Sequence, residues 1–158
     1  MSLIDVGAAA INRDSVAANQ YTWIGITNPA NRTGALTSIE IHASAILHEA
    51  TVVTFSRDGS DFTARDSVDL ATISAGSKQT ITTDVSSNPI SLSIVSGDYI
   101  GIYFVSGALD IGSSGLGEYY LSSKHTTGVA TYTFDADSEI SLYATGETDG
   151  RIPIMVWG

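Results

Sequence analysis

Apolar and polar residues alternate along most of this chain with a period of two. In Ile90 to Val105, Ile90, Leu92 and Ile94 fall on one side of an extended chain and Ser91 and Ser93 on the other. After the turn residues Ser96-Gly97-Asp98, Ile100, Ile102 and Phe104 repeat the arrangement. Leu36 to Ala43 follows the same rule, with Ile39, Ile41 and Ala43 on the apolar side and Ser38, Glu40 and His42 on the wet side. That placement makes His42 a plain surface histidine. Further strands are expected at Tyr21–Thr27, Thr51–Arg57, Val68–Ile73, Gln79–Val85, Ala108–Ile111, Tyr119–Ser122, Thr131–Phe134, Glu139–Ala144 and Ile152–Trp157. Ser74-Ala75-Gly76-Ser77 reads as a hairpin link between Val68–Ile73 and Gln79–Val85.

Helical patterns are few and short. Gly7 to Ala18 is broken by Asn12 and Asp14-Ser15, so residues 1–20 are expected to be extended or loop. Within His42 to Ala50, Ala45, Ile46, His48 and Glu49 would support a turn between strands rather than a long helix. Many short strands without a repeat or linker predict one all-β domain over 1–158, an antiparallel two-sheet β-sandwich with jelly-roll character.

Composition narrows the function. The 158 residues include no Cys, so no disulfide framework holds the fold, and a core of this size needs none. Seventeen acidic against seven scattered basic residues give a formal charge of -10, which argues against nucleic acid and anionic membrane as partners. No run approaches the length of a membrane span, and Met-Ser-Leu-Ile-Asp-Val lacks the basic-then-apolar order of an export signal.

Catalytic templates fail on spacing. His48-Glu49 opens like a zinc-protease helix, but Val52 stands where the second histidine belongs. Neither a nucleophile elbow nor a phosphate-binding glycine loop is present, and no enzyme activity is expected. Asp135, Asp137 and Glu139 alternate and offer oxygen ligands to calcium, although Ile140 excludes the EF-hand pattern; turn chemistry and solubility are the plainer roles of such residues. Trp23, Tyr119, Tyr120 and Trp157 are the aromatic residues suited to stacking on a sugar, or to packing in a core or subunit contact. Ile154 belongs with Trp157 to Ile152-Pro153-Ile154-Met155-Val156-Trp157, apolar on both faces and expected to be held, like the N-terminus, within an assembly. Asn31-Arg32-Thr33 matches the glycosylation acceptor pattern, and its expected meaning is a turn.

The order Tyr21-Thr22, Asn28-Pro29-Ala30-Asn31, Leu36-Thr37-Ser38-Ile39-Glu40-Ile41, Ala75-Gly76-Ser77-Lys78-Gln79-Thr80, Gly97-Asp98-Tyr99-Ile100-Gly101-Ile102-Tyr103-Phe104 and Ile140-Ser141-Leu142-Tyr143-Ala144-Thr145-Gly146 resembles a module of phage-associated and environmental viral structural proteins. The resemblance implies a β-sandwich on the virion surface, in a decoration, fibre or tail component, whose partners are copies of itself and other virion proteins. It carries over no catalytic residue. The alternative is a carbohydrate-binding or receptor-binding module in which Tyr119, Tyr120 and neighbouring carboxylates engage a host glycan.

Overall fold

The computed structural model describes residues 2–112, 116–136 and 138–148. Among them lie fifteen strands and no helix: β1 (Leu3–Gly7), β2 (Ser15–Ala17), β3 (Thr22–Gly25), β4 (Gly34–His48), β5 (Thr51–Asp58), β6 (Asp61–Asp69), β7 (Lys78–Ile81), β8 (Leu92–Ile94), β9 (Tyr99–Tyr103), β10 (Ser106–Gly112), β11 (Glu118–Leu121), β12 (Val129–Thr131), β13 (Thr133–Asp135), β14 (Glu139–Ile140) and β15 (Leu142–Thr148). They form the two antiparallel sheets of a sandwich, as the alternation predicts. One sheet runs β1-β15-β4-β10-β14, with β2 on β10 and β7 and β8 on β4; the other runs β12-β6-β5-β9-β3-β11-β13.

The second sheet curls almost into a barrel. Its two edge strands, β12 and β13, are consecutive in the chain and separated only by Tyr132, so one extended segment closes both edges: Ala130 pairs with Phe62 of β6, and Phe134 with Tyr119 of β11. The central strands are consequently buried on both faces, and their sequences are apolar without alternating. Val52, Ile100 and Ile102 face the first sheet in the sandwich core, whereas Ile24, Val53, Phe55, Phe62, Tyr119 and Tyr132 fill the barrel.

Two short links between β-runs prove to be crossings from sheet to sheet. β8 pairs with β4 and β9 with β3 and β5, so the Ser96-Gly97-Asp98 turn spans the sandwich. Asp98, 3% exposed, holds that crossing by accepting from the Val95 amide and from both Nε and an outer nitrogen of Arg65, at 2.5 and 3.1 Å. The hairpin expected across Ser74–Ser77 is a correction. β7 pairs with Ile39–His42 of β4, and the hairpin of this region is β5-β6, turned at Gly59 with φ +64°. The expected turn after His42 is also corrected: β4 continues to His48, because β10 supplies its backbone partners.

β1 lies at the rim of its sheet, and two asparagines close that rim. Asn31 Oδ1 accepts from the Asp5 amide at 2.9 Å while its Nδ2 donates to Leu3 O at 3.3 Å. Asn28 O accepts from the Gly7 amide, and Asn28 Nδ2 donates to Gly7 O. Side-chain amides thus stand in for a neighbouring strand and protect the edge. Asn31→Ala should cost about 1 kcal/mol, the usual net worth of such bonds, and promote self-association. Chemical denaturation with light scattering would check it, an unchanged scattering profile counting against edge protection.

Candidate functional site

The sequence-predicted aromatic residues are divided between two environments. Tyr119 points into the barrel, 6% exposed, against Phe62 and Phe134, with its hydroxyl accepting from Arg57 at 2.8 Å. Tyr119 therefore packs in the barrel, the core use that its residue type also allows, and the closure of the sheet leaves it no open ring face for a sugar. Tyr120 and Trp23 take the opposite face, form a cluster with Tyr21 at centroid distances of 5.5 to 6.1 Å, and pack on the sandwich core. The Trp23 indole donates to Ala18 O. Trp157 and Ile154 lie outside the described residues.

The carboxylates Asp135 and Glu139 are likewise parted, and Asp137 lies outside the described residues. Glu139 accepts from Arg13 at 3.3 Å on the first sheet. Asp135 instead stands directly across from Glu118, which has Gly25 opposite it on its other side. Glu118 is fully buried, and neither of its carboxyl oxygens has a hydrogen-bond partner. Burial, and then the charge of Asp135, push its pKa up to about 8, so this group is protonated at neutral pH. Among the described residues no three acidic, histidine or cysteine side chains converge as metal ligands.

His42 is not a plain surface residue. Its Nδ1 lies 2.5 Å from Asp110 Oδ2, and Ser44 Oγ donates to the other oxygen of the same carboxylate. Asp110 is fully buried, although β10 and β4 carry these groups 68 positions apart. The spacing His42-Ala43-Ser44 puts both donors on one face of a strand, which was legible; the carboxylate they share was not. A relay of the triad type needs the serine hydroxyl on the histidine's far nitrogen. Here serine and histidine both turn to the aspartate, an arrangement that fixes β4 to β10.

Chain folding leaves the two ends of the barrel different. Arg57 closes one, its guanidinium carbon 4.9 Å from the Tyr119 ring centre and 5.7 Å from that of Tyr99. Residues 122–128 enter the other and place His125 inside, 2.8 Å from the Tyr132 hydroxyl and 2.8 Å from Gly128 O. Beside that loop, Asp69 and Thr51, which share a cross-strand row with Tyr103, border a cavity of about 280 Å³. It is lined by Glu49, Ala50, Thr51, Asp69, Leu70, Ala71, Thr72, Val85 and Lys124. Thr51 Oγ1 donates to Asp69 at 2.7 Å, and the Lys124 ammonium sits 5.9 Å from the Tyr103 ring centre. Alternation patterns could not have found this cavity, because its wall comes from a sheet crossing, a strand end and two loops.

Comparison with protein-family models, with curated proteins and with solved structures returns no match.

Proposed function

We propose that this chain is a non-enzymatic structural component of a virus particle's surface, acting through assembly with copies of itself and with other virion proteins. The placement on a virion rests on the residue order that resembles the viral structural module. The mode of action is supported above all by one observation: Ser44 and His42 are both committed to Asp110. His125 is committed too, with both ring nitrogens engaged inside the barrel. Side chains able to do chemistry thereby cross-link strands, and the result is a stiff body with a negative formal charge of -10. Phe134, 46% exposed, lies over Gly117 beside the exposed Leu116, and together they offer apolar area to a neighbour.

The test compares particles of a virus encoding this chain with particles from which its reading frame is deleted. Mass spectrometry should find the protein in purified particles, and electron microscopy should find a surface feature missing after deletion. Absence from the particles, or a turnover reaction of the purified protein lost in Asp110→Asn, would overturn the proposal.

A further inference from the structure

We propose that the cavity at the Lys124 end of the barrel is a binding site for a single neutral pyranose unit of a glycan. This site is distinct from Tyr119 and Tyr120, the residues named in the alternative carbohydrate-binding reading of the sequence.

The first observation is Glu49. It is one of the two residues that carry the chain from β4 in one sheet to β5 in the other, and it adopts φ +52°. That conformation suits glycine or asparagine, and a glutamate there is strained. The crossing itself needs only the backbone. Glu49 is exposed on the cavity wall, and among the described residues no hydrogen bond or ion pair occupies its carboxylate. A residue in a strained conformation thus places an unoccupied carboxylate on the cavity wall.

The second observation is the chemistry that faces Glu49. Among the described residues Asp69 spends one oxygen on Thr51 and keeps the other, while Lys124 leans on the Tyr103 ring without an acidic partner. Two carboxylates accept and one ammonium donates. A sugar hydroxyl both donates and accepts, so one ring bearing several hydroxyls can satisfy all three, whereas a purely anionic or cationic ligand would oppose one sign. Leu70, Ala71 and Val85 supply a small apolar wall for the carbon-hydrogen face of such a ring.

The wall is also preformed. Leu70 N donates to Ala50 O and Val85 N to Asp69 O, while Asp84 Oδ1 accepts from the Ser86 and Asn88 amides and fixes the loop that presents Val85. Barrel mouths are favoured sites for small ligands, and the volume fits one sugar ring rather than a long chain. The inference does not depend on a virion location; a protein missing from particles that still bound sugar would overturn only the earlier proposal.

The experiment uses the full chain, a glycan array, and methyl hexopyranosides at millimolar concentration observed by saturation-transfer NMR. Binding of at least one neutral sugar is expected, weakened at least tenfold in Lys124→Gln and in Glu49→Gly. Glu49→Gly relieves the positive φ, so its thermal stability should equal or exceed that of the parent, which separates lost binding from lost folding. Tyr120→Phe, away from the cavity, should bind as the parent does. No neutral sugar bound, a preference confined to charged glycans, or unchanged binding in Lys124→Gln and Glu49→Gly would each overturn the proposal.

Discussion

Gly101→Val is expected to prevent the barrel from forming, and Gly101→Ala to destabilise the protein by about 2–3 kcal/mol, the upper part of the range for overpacking a core. Gly101 lies mid-strand in β9, paired with Ile24 on one side and Val53 on the other. A Cβ there would meet the Ile24 side chain at 2.8 Å, Trp23 O at 2.8 Å and Phe55 Cε2 at 2.9 Å. Two of these neighbours are side chains that fill the barrel, but the third is backbone and cannot turn aside. At the level of Gly101 the interior is therefore too narrow for a side chain, and glycine is required by space rather than by backbone angle. Phe55→Leu, itself destabilising, should recover part of the loss when combined with Gly101→Ala, because it removes one of the three contacts. Urea denaturation of the four proteins in a double-mutant cycle would measure the coupling. Additive losses would mean that the Phe55 contact is relaxed elsewhere.

Gly101 also marks where sequence legibility ends. Alternation located the strands around Ile39 and Ile41 and around Leu92 and Ile94, and with them the sandwich, because these strands have one face in the core and one toward solvent or the rim. In Thr51-Val52-Val53-Thr54-Phe55 every residue is buried, and the run looks merely β-branched. Its second covered face exists only because residues 129–135 bridge β6 and β11, a long-range closure with no local mark. The same holds for Ser96-Gly97-Asp98. As a string it resembles a hairpin turn, but β8 pairs with β4 and β9 with β3 and β5, distant partners that make it a crossing, and Arg65 on another strand holds it. Thr37 shows a smaller effect: Leu36 and Ile39 are both buried although three apart, because β4 carries an irregularity opposite Thr145 and Gly146. The candidate site was less legible still. Asp69, Glu49 and Lys124 are ordinary turn and surface residues until the fold gathers them, and Glu118 reads as one acid among many until its burial is seen.

Glu118→Gln should stabilise the protein, and the gain should grow with pH. In the folded chain burial and the facing Asp135 raise the Glu118 pKa from 4.5 to about 8, whereas the unfolded chain leaves it near the ordinary value. Between those values the folded state binds the proton that the unfolded state has released, so stability falls as pH rises through this window. Below it both states are protonated, and the glutamate costs little more than glutamine. Above it the folded protein carries a buried carboxylate without a hydrogen bond opposite a second carboxylate. Each tenfold change in proton affinity is worth about 1.4 kcal/mol, so the linkage bounds the effect at roughly 5 kcal/mol, and relaxation of the β11-β13 edge would lower it to about 2–4 kcal/mol. Glutamine keeps the shape and cannot ionise, so its stability should change less across the same range. Asp135→Asn should give a smaller gain of the same sign, since burial and not the neighbouring charge is the larger cause. Urea unfolding at pH 5, 7 and 9 would measure these differences. A gap between parent and Glu118→Gln that stays constant over that range would mean the carboxyl finds water or a cation in solution, and that the edge strand opens to admit it.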